Sequence, residues 1–322
     1  MDTLIEVGGL SKQFGDLTAV SNISLSVKRG EVLGFLGPNG AGKSTTMKMI
    51  TGFLSPTAGR ISVAGFDIDD SALEAKKRIG YLPEGAPAYG EMTPAGFLDF
   101  IADVRGIPGP EKDARIQEVV GKIHLEHVLH QRIETLSKGF KRRVGLAQAI
   151  LHDPEILIMD EPTDGLDPNQ KHEVRTLIQE MAAEKAIIIS THILEEVDAV
   201  CSRAIIIAQG ELIFSGTPKE LAARSHYHNA VTLVVAPDQV ATLEPALTAL
   251  SEVAAVEQEA KDGQSRLTVI AERNQQPAAR VQQVLRDLKL DPIEFYIEHG
   301  HLDEVFRAIT MSSGESGEVH RT

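Results

Sequence analysis

The chain has 322 residues, 42% of them hydrophobic, enough to bury a sizeable core and to form one large domain and a smaller one. Its 46 acidic against 32 basic residues leave a net charge of −14, which argues against broad attraction to nucleic-acid phosphate, a binding mode that needs clustered Lys and Arg. The single cysteine, Cys201, excludes an internal disulfide. The acidic N-terminus is not that of a signal peptide and no apolar run reaches membrane-spanning length, so a soluble chain on the reducing side of a membrane is expected.

From Leu4 to Ile79 short Val/Ile/Leu-rich runs alternate with Gly and Asn turns, which predicts a sheet-rich front half interrupted by one helix. Within it Glu31 to Leu36 predicts a short apolar strand, Gly37-Pro38-Asn39-Gly40-Ala41-Gly42-Lys43-Ser44 a glycine loop, and Thr45 to Ile50 the continuing helix. That order fits the phosphate-loop pattern, in which glycines let backbone N–H groups turn inward around a triphosphate while a helix begins at the lysine. Binding of ATP or GTP follows.

Between Pro94 and Ala149 the spacing turns helical, with Thr93-Pro94 as a start signal and Phe97, Phe100, Ile101 and Val104 on one stripe, predicting an inserted helical subdomain over about residues 85–150. After Pro154 the order is strand (Ile156 to Asp160), helix (Lys171 to Ala183), strand (Ala186 to Ser190), helix (Leu194 to Val200), strand (Arg203 to Gln209). Such alternation predicts an α/β domain with a parallel sheet. A hairpin return follows over Gly210 to Thr217, then a short helix over Pro218 to Arg224 and a polar junction over Ser225 to Asn229. Beyond it a β-α-β-β-α-β order from Val231 to Glu298 predicts a small α+β, ferredoxin-like domain. Leu302, Val305, Phe306 and Ile309 predict a last amphipathic helix, and Met311 to Thr322 a disordered tail. The expected domains are therefore 1–228, 229–310 and the tail 311–322.

The phosphate loop has a second half elsewhere in the chain. Ile156-Leu157-Ile158-Met159-Asp160-Glu161, with Asp160 117 positions after Lys43, is an apolar strand ending in two carboxylates suited to magnesium and water. Upstream of it stands Leu136-Ser137-Lys138-Gly139-Phe140, followed by Gly145-Leu146-Ala147-Gln148-Ala149 and, after the strand, by Pro162-Thr163-Asp164-Gly165-Leu166-Asp167. Over about residues 4–228 the chain resembles the ATP-binding subunits of ABC transporters.

That resemblance implies a phosphate-loop NTPase fold, with a RecA-like mixed sheet, an antiparallel β subdomain and an inserted helical subdomain. It also implies that two copies meet head to tail, each ATP lying between the phosphate loop of one and the signature of the other. The implied nucleotide-binding residues are Phe14, whose ring would stack on adenine, and the loop from Gly37, Pro38, Asn39, Gly40, Ala41, Gly42 and Lys43 to Ser44 and Thr45. Ser137 and Gly139 would reach the γ-phosphate across the dimer. Ser44, Glu84 and Asp160 would serve magnesium, Glu161 would be the general base and His192 the histidine contacting the γ-phosphate. Asp167 would couple the two sites.

Two departures stand out. Most relatives carry glutamine at the position of Glu84, and a carboxylate cannot donate a hydrogen bond unless protonated. Lys138 and Phe140 replace the usual glycine and glutamine of the signature. Tyr81-Leu82-Pro83-Glu84, the signature and the ending Leu302-Asp303-Glu304-Val305-Phe306 resemble the ABC-2 exporter branch, including its gliding-motility and copper-maturation relatives. An exporter subunit, peripheral on the cytoplasmic face of the membrane, is expected, with ATP and Mg2+ as cofactors. Its partners would be a second copy, integral-membrane permeases and an accessory subunit, with no nucleic acid. The alternatives are an import-type subunit and a soluble ABC ATPase acting on nucleic acid or ribosomes. The latter is disfavoured by the acidic balance and by only 93 positions between Lys43 and Leu136, too few for a long coiled coil. His124, His127 and His130 suggest a solvated helix face rather than a metal site, and Lys141-Arg142-Arg143 an exposed or dimer-edge charge cluster.

Overall fold

A computed structural model describes residues 2–85, 88–261 and 263–315. The chain divides into two compact units, with the boundary between Pro218 and Lys219.

The first unit opens on β1 (Thr3–Phe14) and β2 (Leu17–Lys28), an antiparallel pair whose inward residues alternate with exposed ones. Then come β3 (Val32–Leu36), α1 (Lys43–Ile50), β4 (Ala58–Val63) and β5 (Phe66–Asp67). The long antiparallel strands form one four-stranded sheet in the order β2-β1-β4-β5. After α2 (Ala72–Lys77) and β6 (Ile79–Leu82) the chain enters three helices, α3 (Pro94–Arg105), α4 (Gly109–Ile123) and α5 (Lys138–Ile150). It returns through β7 (Ile156–Asp160), α6 (Pro168–Ala182), β8 (Ala186–Ser190), α7 (Leu194–Val200), β9 (Arg203–Ala208), β10 (Glu211–Gly216) and α8 (Pro218–Ala222).

The second sheet runs β10-β9-β3-β8-β7-β6, with β10 antiparallel to β9 and every other neighbouring pair parallel. Strands β3, β7 and β8 are buried at every residue, as expected of a parallel sheet covered on both faces. Their side chains join those of β1, β2, β4 and α1 in one core built around Phe35, Ile158, Ile188, Met47 and Ile5.

The helices start and stop where local chemistry allows. Thr93 caps α3, its Oγ1 accepting from the Gly96 amide at 3.2 Å, and Ser137 caps α5 by accepting from Phe140. Helix α6 begins three residues earlier than the spacing suggests, at Pro168, because Asp167 caps it with a 2.9 Å bond from the Gln170 amide to Oδ1 and proline suits the first turn. The expected stripe on α3 is only partly buried. Pro94, Phe97, Leu98 and Ala102 face inward, whereas Phe100 and Val104 are exposed and Phe100 meets the ring of Tyr89 edge-on at 5.8 Å. The expected helix for the histidines does not form: His124 ends α4 with φ 54° and His127 lies in a separate short 3-10 turn, so the three do not share one face.

His152 is largely buried with Nε2 3.1 Å from the Ile79 carbonyl at the start of β6, and burial, with Arg105 nearby, pushes its pKa down from 6.5 to about 4. The unfolded chain therefore takes up a proton that the folded one refuses between pH 6.5 and 4. Stability from this group is complete above pH 6.5 and is lost as pH falls toward 4, by roughly 3 kcal/mol at 1.4 kcal/mol per unit. His152→Asn should flatten the fall in unfolding temperature over that range in calorimetric scans at stepped pH.

The second unit contains β11 (Val231–Val235), α9 (Pro237–Thr248), β12 (Val253–Lys261), β13 (Gln264–Ala271), α10 (Ala278–Leu288), β14 (Glu294–Ile297) and α11 (Leu302–Glu315). Its sheet runs β12-β13-β11-β14, all neighbours antiparallel. The core joins Val231, Leu233 and Val235 to Leu243 and Leu247 of α9 and Val281 and Leu285 of α10.

The unit boundary falls ahead of the junction read at residues 225–229. The reason is hydrogen bonding: Ser225 Oγ donates to Glu304 at 2.5 Å and accepts from the His301 amide at 3.0 Å, which ties that turn to the C-terminal segment. The tail also begins later than expected, since α11 continues through Glu315; residues 316–322 lie outside the described residues. No helix among the described residues is long and apolar enough to cross a membrane.

Candidate nucleotide site

Four neighbouring strands of the parallel sheet, β3, β8, β7 and β6, end on the same edge, and each is followed by a predicted site segment. Ligands of open α/β sheets bind at these carboxyl ends. The loop after β3 carries Gly37 to Gly42, that after β7 Glu161, that after β8 His192, and that after β6 Glu84.

The phosphate loop needs its glycines for space. A Cβ on Gly37 would stand 2.2 Å from the Ile207 carbonyl oxygen, and one on Gly42 2.6 Å from that of Ala19; Gly42 also has φ 104°. A cavity of about 270 Å³ opens over the loop, lined by Asn39, Gly40, Ala41, Gly42, Lys43, Ser44, Thr45, Glu84, Asp160 and Glu161, together with Ala19. Helix α1 begins at its wall with no side-chain cap, so free backbone N–H groups and the positive end of the helix dipole face it. Lys43 is 7% exposed, and its ammonium donates to the carbonyls of Gly37 at 2.7 Å and Pro38 at 3.1 Å. Burial lowers its pKa, while Glu161, Asp160 and Glu84 pull the other way and favour the cation.

Asp160 is 2% exposed. Its Oδ1 accepts from Ser190 Oγ, while Oδ2 is buried with no hydrogen-bond partner among the described residues. An orphaned carboxylate oxygen in a polar cavity, beside the Ser44 hydroxyl and Glu84, suits a hard cation completed by water and phosphate. Among the described residues no group of three or more His, Cys, Asp or Glu is gathered to hold a metal.

Glu161 adopts φ 55°, a left-handed conformation that is strained for a residue with a side chain. Its amide donates to the Ser190 carbonyl at 3.2 Å and to Ser190 Oγ at 3.1 Å. The turn aims its carboxylate at His192, whose Nδ1 lies 2.7 and 3.0 Å from the two oxygens. Behind the pair, the buried Glu196 accepts from Thr163 Oγ1 and, at 2.9 Å, from Thr191 Oγ1, bracing the two segments that carry Glu161 and His192.

The loop residues from Asn39 to Thr45, Glu84, Asp160 and Glu161 thus converge on one cavity, and His192 joins them through Glu161. Gly37 and Pro38 form the base of the loop. Phe14 is 48% exposed at the end of β1, with Lys12 Nζ 5.1 Å from its ring centroid, so it is no core residue. Ser137, Gly139 and Asp167 line no part of the cavity. Ser137 caps the exposed start of α5, and Asp167 caps α6.

Sequence reasoning missed Ala19 of β2, whose carbonyl faces Gly42, and Ser190, the last residue of β8. It also misplaced Arg142 and Arg143, read as part of an exposed or dimer-edge charge cluster. Both are buried, with Arg143 donating to the Ile123 carbonyl at 3.1 Å and pairing with Glu173 at 2.7 Å. Only Lys141 of that trio carries its charge at the surface.

The ABC transporter family profile matches residues 20–164. Linearmycin resistance ATP-binding protein LnrL of Bacillus subtilis is 38% identical over 233 residues, covering 72% of this chain and 75% of that one. The chain belongs to the ATP-binding subunits of ABC transporters. The probable multidrug ABC transporter ATP-binding protein YbhF of Escherichia coli is 38% identical over 225 residues, 70% of this chain but 39% of YbhF. This ABC subunit therefore spans about two fifths of the length of that relative. Among solved structures, cbiO1 of Clostridium perfringens, part of the ABC transporter complex cbiONQ, superposes with a TM-score of 0.63 at 31% identity, over 70% of this chain and 92% of that one. The phosphate loop, signature and carboxylate pair of this ABC cassette all fall within the region of similarity.

Proposed function

We propose that the chain is the ATP-hydrolysing subunit of an ABC-2 type exporter, a head-to-tail dimer that closes around two ATP and drives a partner membrane permease. The observation that carries this reading is a division of labour. The phosphate loop and the carboxylates share one cavity, while Ser137 sits at an exposed helix start away from it. A helix N-terminus free to meet an anion, unused by the chain's own cavity, is suited to a second copy's nucleotide.

In this reading Lys43 and the loop amides hold the β and γ phosphates, and the exposed Phe14 ring takes the adenine. Ser44, Asp160 and Glu84 would hold Mg2+, which when bound screens phosphate charge. Glu161 takes the proton of the attacking water, an effect of about 10² to 10⁴ in rate. His192, paired with Glu161, reaches the γ-phosphate. Asp167, at the start of α6, couples the two sites. ATP bridges two protomers and ADP does not, so the nucleotide state sets the population of the closed dimer.

Export is supported by the strings around Glu84 and Ser137 and by relatives described as multidrug and resistance proteins. A role beside a permease is supported by cbiO1, described as part of a transporter complex. In this reading the subunit works at the cytoplasmic face of the membrane. The second unit would serve dimer stability, regulation or an accessory partner.

Complementation tests the shared site. Lys43→Ala and Ser137→Arg chains should each be inactive alone, because each spoils both composite sites. Mixed, they form one dimer site with an intact Lys43 and an intact Ser137, and phosphate release should reappear. Silence in the mixture, with both variants folded, would overturn the head-to-tail arrangement.

A further inference from the structure

Arg142 lies on α5, three residues past Gly139, and is 5% exposed. Its guanidinium is directed not at a carboxylate but at three main-chain carbonyls: Pro83 at 3.0 Å, Asp160 and Glu161. Pro83 precedes Glu84, and Glu161 is the strained residue at the end of β7. The Glu161 peptide environment is thus held from both sides, its N–H by Ser190 and its C=O by Arg142. Such a clamp is what a left-handed conformation needs in order to persist, since it otherwise costs about 1–3 kcal/mol. A planar guanidinium with five N–H donors can span three acceptors; an ammonium or an amide cannot reproduce that fork.

The same arginine stands one turn behind Ser137 and Gly139. A helix turn moves as a body, so a shift at the start of α5 reaches the carbonyls of Glu161 and Pro83 through a single side chain. We propose that Arg142 is a positioning residue that couples the signature helix of a protomer to that protomer's own Glu161, so that triphosphate held in one composite site accelerates, without being required for, hydrolysis at the other. The inference rests on the shared-site reading of Ser137. It adds a specific path between the two sites, within one chain, and a cause for positive cooperativity.

The test uses the full chain with Arg142→Gln and Arg142→Lys. Both should keep the affinity for a fluorescent ATP analogue, because the phosphate loop is untouched, and in a Glu161→Gln background both should still dimerise with ATP and magnesium. Turnover should fall on the order of 10²-fold, the effect of displacing a reacting group by about 1 Å, and the Hill coefficient for ATP should drop to one. Arg142→Lys should not rescue, although it retains the buried cation.

In the complementing pair described above, Arg142→Gln should silence the active site when placed in the chain that supplies its Glu161. In the chain that supplies only its signature it should not. Wild-type turnover and cooperativity in both variants would overturn the proposal, as would rescue by lysine or loss of folding in both, which would make Arg142 a packing residue. A Glu161→Gln chain that stays monomeric would instead strike the shared-site reading, independently of the arginine.

Discussion

Glu161→Gln is expected to keep ATP and to lose turnover by about 10² to 10⁴-fold, accumulating as a dimer in the presence of ATP and magnesium. The substitution is nearly isosteric, and the amide oxygen can still accept from His192, which now lies 2.7 Å from the carboxylate. The left-handed turn is also kept, since Ser190 and Arg142 hold the main chain rather than the side chain. What disappears is the base. Removing one of two adjacent negative charges also eases the approach of a triphosphate to Asp160, so affinity should not decline. Size-exclusion chromatography with light scattering, run with ATP and with ADP, reads the outcome directly. Equal monomer populations with the two nucleotides would contradict the scheme, because a bridging γ-phosphate is its source of closure.

Lys43→Ala should act earlier, at binding. The ammonium is buried and desolvated, satisfied by carbonyls of its own loop and by the field of Glu161, Asp160 and Glu84. A triphosphate replaces weak acceptors with a strong anion. Deleting the cation leaves that anion beside three carboxylates with nothing to balance it, a loss of about 3–5 kcal/mol for a broken buried pair. At 1.4 kcal/mol per decade this weakens ATP binding by on the order of 10² to 10³-fold. Because the cradle itself remains, the unliganded variant should unfold near the wild-type temperature, but the rise in melting temperature on adding ATP should vanish. A titration with a fluorescent analogue and a thermal shift measurement separate the two effects. Unchanged affinity would remove Lys43 from the site.

Much of the site was legible because its chemistry is local in sequence. A glycine loop between a strand and a helix can hold phosphate only with those residue types in that order. A pair of carboxylates at the end of an apolar strand is placed by the strand itself. Alternating elements after Pro154 likewise implied a parallel sheet, which forms with β3 inserted between β8 and β9. The charged trio at Lys141 was misread for a physical reason. Periodicity reports which face of a helix is polar, and a buried arginine that donates to carbonyls looks the same in sequence as a solvated one. The α3 stripe failed similarly, because Leu98 and Ala102 rather than Phe100 face the neighbouring helices, and apolar spacing allowed either choice.

By itself the sequence determined the elements, the phosphate cradle and the carboxylates, since these depend on residues that are neighbours along the chain or that repeat at a fixed period. Only the tertiary structure decided which distant groups meet. The strand order places the ends of β3, β8, β7 and β6 on one edge; Ser190 and Arg142 clamp Glu161 in a conformation that its own residue type disfavours; and Asp160 is left with one oxygen unpaired among the described residues. Such pairings form between segments far apart in the chain, where packing and hydrogen-bond satisfaction, rather than local propensity, choose the partners.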